Sequence, residues 1–427
     1  MDIKRTLSAA FLLCLISAPA VCETLVSDKY IAVMRHGVRP QTSSKELARM
    51  SAKQWPVWNT PDGALTPHGA TAAAQLAKWE HGMLAAKGLV PETGCPARES
   101  VFSWGNSTVQ RTIDTGNVIL STMFPGCGLT VGHASGDGPD PLYDASETAL
   151  GAVDTDTAEA AILEAAGGSF DAAKQKAAPL MKEMDAILGC DTAGSDCSLQ
   201  TRPWSIEVKK AKGDKPASVS LQGPLAEAGT LAQVFLLQYA NGFPADEVAF
   251  GKSPAAADII RLSQLRQIKY DLGNRVPYIA QRDGSNFLNQ ILLALDKNTA
   301  SGGPPDAKFL LFMGSDTQQA ELATLLGIHW KIPPYLNDET PPTGALTFER
   351  LHDADGKSYV RMGFVAPWLD QIRNASVIND TSPPLQAAVA MPGCEGGVKD
   401  GACPLDRFLA LAKVKIDKSA VAPNVYH

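Results

Sequence analysis

The run Tyr30-Ile31-Ala32-Val33-Met34-Arg35-His36-Gly37-Val38-Arg39-Pro40 decides how the chain is read. Its first five residues are apolar and partly β-branched, the pattern of a buried strand. That pattern stops abruptly at two arginines set around a histidine and a glycine. Two later runs behave in the same way. Residues 100–104 predict a short strand, followed by a helix over 108–123 with Val109, Ile113, Val118, Ile119 and Met123 at roughly helical steps. Residues 309–313 predict a third strand, followed by Gly314-Ser315-Asp316 and a helix over 318–326. Repeated strand–turn–helix units predict an α/β fold, with a mainly parallel sheet flanked by helices.

Between these units the chain changes character. Residues 145–188 are rich in Ala, Glu and Lys, and 231–239 and 259–272 are helical in pattern. The expected organisation is an α/β domain made of 23–144 and 286–427, with a mostly helical cap domain inserted over 145–285. Turn signals at Pro341-Pro342-Thr343-Gly344 and at 353–356 bracket a strand candidate at 345–351. Residues 359–365 can pair with it as a hairpin.

Composition narrows the function classes. A chain of 427 residues can bury a core without metal or disulfide support. No apolar run reaches the ~18 residues of a bilayer span. The net charge of −7 disfavours wholesale binding to nucleic acid or anionic membranes. A bound anion would need a local nest of arginines. At the start, Lys4 and Arg5, an apolar run over 9–16 and Ala18-Pro19-Ala20 read as a signal peptide over 1–22, cleaved after Ala20 or Cys22. The expected location is periplasmic or secreted. Beyond it lie Cys95, Cys127, Cys190, Cys197, Cys394 and Cys403. An even count in an exported chain predicts disulfides, and the spacing leaves the pairing open. Neither Cys-x2-Cys nor clustered histidines point to a metal, so no metal and no cofactor are expected.

Three polar clusters follow the three predicted strands, where open α/β sheets bind ligands. Arg35, His36 and Arg39 form the first, and two guanidinium forks around an imidazole suit a phosphate dianion. Arg111, within Gln110-Arg111-Thr112, adds a cation after the second strand. Ser315-Asp316-Thr317 places a carboxyl at a helix start. Each has a plainer reading when taken alone: a surface turn, a solvated helix residue and an N-cap.

Taken together, the three clusters carry a resemblance. Arg35-His36-Gly37-Val38-Arg39 resembles the Arg-His-Gly-x-Arg signature of the histidine acid phosphatases, in their bacterial periplasmic phytase and glucose-1-phosphatase branch. The likeness runs from about 25 to 411. It takes in Gln54-Trp55-Pro56-Val57-Trp58, Leu65-Thr66-Pro67-His68-Gly69, Gln110-Arg111-Thr112, Asp140-Pro141-Leu142-Tyr143, and the stretches 235–244, 340–350 and 393–405. It implies an exported acid phosphomonoesterase acting on sugar phosphates or inositol phosphates, with a small phosphate monoester as its only implied partner. It also implies the bridges Cys95–Cys127, Cys190–Cys197 and Cys394–Cys403. In the implied mechanism neutral His36 attacks phosphorus and forms a phosphohistidine. Arg35, Arg39, Thr42, Arg111 and Ser315 hold the phosphoryl group. Asp316, protonated, donates to the leaving oxygen, and its carboxylate then activates water.

Two departures from the family pattern stand out. Pro40 follows Arg39 directly, and Gln41 occupies the usual proline place. Ser315 stands where the family pattern, Gly-His-Asp-[Thr/Ser]-Asn, has a histidine that contacts the phosphate. A hydroxyl brings no charge, and the alternative reading is therefore a phosphate-ester-binding homologue with weak or no turnover. A mutase-like transferase fits poorly with export.

Overall fold

The protein is described here from a computed structural model covering residues 25–424, apart from 137, 193 and 194, together with residue 426. The expected signal peptide lies outside the described residues. The strands are β1 (Val26–Arg35), β2 (Val101–Gly105), β3 (Gly132–His133), β4 (Ser205–Lys209), β5 (Ser218–Gln222), β6 (Phe309–Gly314), β7 (Ala345–His352), β8 (Ser358–Ala366), β9 (Leu385–Val389) and β10 (Cys403–Pro404). The helices are α1 (Ser44–Leu47), α2 (Pro67–Ala86), α3 (Gln110–Met123), α4 (Thr155–Ala165), α5 (Asp171–Leu188), α6 (Pro224–Ala240), α7 (Ala256–Leu262), α8 (Gln264–Asp271), α9 (Pro277–Leu295), α10 (Asp316–Leu326), α11 (Leu369–Arg373) and α12 (Leu405–Lys413).

The apolar run at 30–34 is continuous because β1 is covered on both faces. Ile31 and Val33 join one buried cluster, and Tyr30, Ala32 and Met34 join the other. Phe309, Leu311 and Met313 of β6 fall with the second set, and Leu310 and Phe312 with the first. Alternate side chains of a strand point to opposite faces, so each strand feeds two cores. Each fully buried Val, Ile, Leu, Met or Phe side chain among them contributes roughly 1.5–3 kcal/mol. A charge at Val33 would therefore disrupt the sheet.

The main sheet runs β10-β8-β7-β1-β6-β2-β3, with β9 paired on β8. β1, β6, β2 and β3 are parallel neighbours, whereas β7 and β8 form the expected antiparallel hairpin beside β1. Five of the eight strands run the same way, since β8 reverses β7 and so returns to the direction of β1. The mainly parallel α/β class holds, and the antiparallel strands gather at one side.

The segment 145–285 carries α4 to α8 and the start of α9, and it also contains the β4–β5 hairpin, which its composition did not signal. The helical stretch read over 259–272 is divided at Ser263 into α7 and α8. Leu231, Phe235 and Ile268 from this segment pack in the same cluster as Ile31 and Val33. Bridges join Cys95 to Cys127, Cys190 to Cys197 and Cys394 to Cys403, with Cα separations of 5.4, 5.5 and 5.7 Å. Among the described residues no helix is long and apolar enough to cross a membrane.

Candidate active site

Parallel pairing brings the three polar clusters to one edge of the sheet. Arg35 at the end of β1 lies opposite Gly314 at the end of β6, and the His36 N–H donates to the Gly314 carbonyl at 3.1 Å. β2 ends on the other side of β6, and Arg111 stands in the first turn of α3 just beyond it. The 35–41 turn is braced by α2. The Thr66 N–H donates to the Val38 carbonyl at 3.0 Å, and a Cβ at Gly69 would lie 2.6 Å from that carbonyl oxygen. Only a glycine lets the helix approach so closely. Buried Gln319 ties α10 to this edge, donating to the carbonyls of Val33 and Gly344 at 2.9 and 2.7 Å.

The result is a pocket of about 310 Å³ lined by His36, Arg39, Thr42, Arg111, Ser315 and Asp316. Arg35 lies behind it with 1% of its surface exposed. Its Nη2 donates to Gln233 Oε1 at 3.0 Å, its Nη1 donates to the Thr340 carbonyl, and its Nε is 3.5 Å from Asp316 Oδ1. The Nε groups of Arg39 and Arg111 are buried without a hydrogen-bond partner among the described residues. Unpaired buried donors beside a cavity suit an anion.

His36 is also 1% exposed, and its Nδ1 lies 2.8 Å from the Gly37 carbonyl. A carbonyl only accepts, so Nδ1 carries the proton and Nε2 keeps its lone pair. Burial, and then the charges of Arg111, Arg39 and Arg35, push the imidazole well below its ordinary range. The ring is neutral across the physiological range. Burial and the other two arginines likewise lower Arg39, to about 9.

Asp316 is held from both sides. Arg35 faces Oδ1, while Oδ2 accepts from Arg266 Nη2 and, at 2.6 Å, from the Tyr270 hydroxyl. Burial by itself would raise this carboxyl. Arg35, Arg266 and the Tyr270 hydrogen bond outweigh it and hold the group well below the carboxylate range. In the substrate-free site Asp316 is thus a carboxylate, in contrast to the protonated form expected from the resemblance.

Ser315 lines the pocket, but its hydroxyl caps α10. Oγ accepts from the Thr317 N–H at 3.1 Å and donates to Gln318 Oε1 at 2.9 Å, and the Ser315 backbone N–H donates to the same Oε1 at 2.9 Å, completing a capping box. Thr42 stands exposed at the rim. The sequence reading missed Gln233 of α6 and Arg266, Lys269 and Tyr270 of α8, all of which also line the pocket. No local signal marked Arg266: α8 is a short, largely polar helix, and only the fold buries Arg266 along with Leu265, Ile268 and Tyr270.

Four guanidinium groups, of Arg35, Arg39, Arg111 and Arg266, face the carboxylates of Asp316 and Glu339. With Lys269 and Glu46, which also line the pocket, the cations outnumber the carboxylates by two, a local surplus that suits a phosphate ester anion. A larger cavity, about 1210 Å³, adjoins the pocket and shares Glu46, Met50, Thr230 and Lys269 with it.

Comparison with known proteins agrees with this geometry. Residues 28–365 match the histidine phosphatase superfamily (branch 2). The chain is 30% identical over 402 residues to the phytase AppA of Escherichia coli, covering 89% of this chain and 90% of that protein. It is 28% identical over 392 residues to a glucose-1-phosphatase of Salmonella typhimurium, with the same coverage of 89% and 90%. Among solved structures, the Hafnia alvei phytase in complex with myo-inositol hexakis sulphate superposes with a TM-score of 0.84 at 30% identity, over 95% of this chain and all of that one.

Proposed function

The chain belongs to branch 2 of the histidine phosphatase superfamily, and we propose that it hydrolyses phosphate monoesters of sugars or inositols through a phosphohistidine on His36. The observation that carries this reading is the His36 ring: Nδ1 is committed to Gly37, Nε2 has no partner among the described residues, and burial together with the neighbouring arginines keeps the ring neutral. In the first step the bond from Nε2 to phosphorus forms and the ester P–O bond breaks. Arg39 and Arg111 meet the charge on the phosphoryl oxygens, and Arg35 holds the rear wall. The leaving oxygen needs a proton. A phosphate monoester loses its second proton near pH 6, so at acid pH it enters as a monoanion and brings that proton into the site. The added negative charge also raises Asp316, which lies beside it. Asp316 then passes the proton to the leaving oxygen. As a carboxylate again, it takes a proton from the water that attacks phosphorus and frees the histidine. An acidic working range follows.

The outer cavity supports a narrower substrate class. Arg49, Arg202 and Lys269 there balance Glu46, Asp196 and Glu227, and Arg202 is already paired with Glu227. With no cationic surplus it suits an ester with one phosphate better than a hexakisphosphate. The segment 145–285 serves as the cap that forms this outer wall. The three disulfides support an exported protein, with the periplasm as the proposed site of action.

The test is chemical trapping. Wild type mixed with a phosphate ester and quenched without acid should carry phosphate on His36, and His36→Ala should lose turnover at least 1,000-fold with its fold intact, roughly the worth of a nucleophile. The same assay should give a higher kcat/KM on glucose-1-phosphate than on phytate. Near-normal turnover in His36→Ala would falsify the mechanism.

A further inference from the structure

Arg266 belongs to α8, inside the segment 145–285, yet its guanidinium lies at the back of the pocket with 4% exposure. Both terminal nitrogens are engaged. Nη2 donates to Asp316 Oδ2 and to Thr340 Oγ1 at 3.2 Å, and Nη1 donates to Glu339 Oε1 at 2.9 Å. Its flat face lies over the Tyr270 ring, 4.6 Å from the centroid. Glu339 is fixed in turn by Gln267, one residue along α8, whose Nε2 donates to Oε2 at 2.9 Å. Tyr270, four residues along the same helix, donates to the same Asp316 oxygen as Arg266.

A buried ion pair adds little stability compared with apolar packing, because desolvation offsets the attraction. Its retention against a reacting carboxyl calls for another reason. We infer that Arg266 is a positioning residue: it aims the Asp316 carboxyl through Oδ2, and so lets the helical segment set the geometry of the proton-transfer step. A planar fork held through both terminal nitrogens and against one ring fixes direction in a way an ammonium cannot. Oδ1 is left to the more distant Arg35, so α8 holds the carboxyl through one oxygen only. The inference rests on the phosphohistidine reading given above.

The groups facing Asp316 come from several elements. They are Arg35 of β1, Arg39 in the loop after it, Arg111 of α3, Arg266, Lys269 and Tyr270 of α8, and neutral His36. Glu339 stands behind Arg266. Removing Arg266 takes away one of the cations nearest the carboxyl, so Asp316 should hold its proton to higher pH.

The experiment compares Arg266→Gln, Arg266→Lys and Tyr270→Phe with wild type. Phosphohistidine formation is followed in single turnovers, on glucose-1-phosphate and on 4-nitrophenyl phosphate. Nitrophenolate leaves without a proton, whereas a sugar oxygen does not. Arg266→Gln should slow the glucose-1-phosphate step 10- to 100-fold and the nitrophenyl step less than 3-fold. It should also move the alkaline limb of the glucose-1-phosphate profile to higher pH. Arg266→Lys should restore part of the rate and most of the pH profile. Tyr270→Phe, which removes one hydroxyl from the same oxygen, should shift both readouts in the same direction by less. Equal losses on the two esters, or a change confined to KM, overturn the inference and make Arg266 a phosphate contact. Should Arg266→Gln fail to fold, Arg266→Lys and Tyr270→Phe carry the test, and an unchanged ester ratio in both overturns it. Absence of any phosphohistidine in wild type sinks the underlying reading instead, and is seen before a variant is made.

Discussion

Asp316 and Glu80 are both drawn out of bulk water, and they end in opposite states. Asp316 keeps 15% of its side chain exposed, toward the pocket, and Glu80 of α2 keeps 2% of its surface exposed. Burial disfavours the charged form of each. At Asp316 two arginines and a tyrosine hydroxyl reverse the effect and hold a carboxylate. At Glu80 nothing does: both carboxyl oxygens lack a hydrogen-bond partner among the described residues, and burial pushes the group up to about 8. Burial sets the cost of a charge, and neighbours decide whether the charge is present. The floor of the candidate site is built around a charge, whereas the buried side of α2 tolerates a proton.

The largest effect expected from breaking this contrast is at Asp316. Asp316→Asn should lower kcat on glucose-1-phosphate by roughly 100- to 10,000-fold, the usual worth of a general acid–base group. The loss in phosphohistidine formation from 4-nitrophenyl phosphate should be far smaller. Matching losses in single turnovers would assign Asp316 a role in packing.

The counterpart change at Glu80 should leave kcat/KM untouched and alter stability in a pH-dependent way. The folded protein keeps a proton on Glu80 between its ordinary value of 4.5 and about 8, while the unfolded chain has lost it. Native stability therefore falls as pH rises through that window. A glutamine side chain in the same place does not titrate. Glu80→Gln should match wild type in thermal melts at pH 4 and exceed it at pH 8, by on the order of 3 kcal/mol. A difference independent of pH would show that Glu80 is not protonated in the fold.

The smallest effect sharpens the contrast at the edge of the site. The Ser315 hydroxyl serves α10, so Ser315→Ala should cost about 1 kcal/mol of stability, the worth of an N-cap, and change kcat/KM less than 3-fold. A 10-fold fall in kcat/KM with an unchanged melting temperature would return Ser315 to the phosphate contacts implied by the resemblance. The plainer sequence reading puts the N-cap at Asp316; the structure places it one residue earlier, at Ser315, with Gln318 closing the capping box.

The sequence by itself determined the parts whose information is local. An apolar run that stops at a polar string marks a strand end, and parallel strands carry their sites at those ends. On that basis Arg35, His36, Arg39, Arg111 and Asp316 were legible before any coordinates, and so was the β7–β8 hairpin. The tertiary structure alone decided what depends on distant segments meeting. Arg266 and Tyr270 are 50 and 46 residues from Asp316, and the amphipathic pattern of their helix says only that one side is buried. The β4–β5 hairpin was hidden because its strands alternate on a largely exposed surface, with no apolar run to mark them. The charge state of Asp316 was hidden for a related reason. A carboxyl's proton affinity is set by the cations within a few ångströms, and those come from β1 and α8, which only the folded chain brings together.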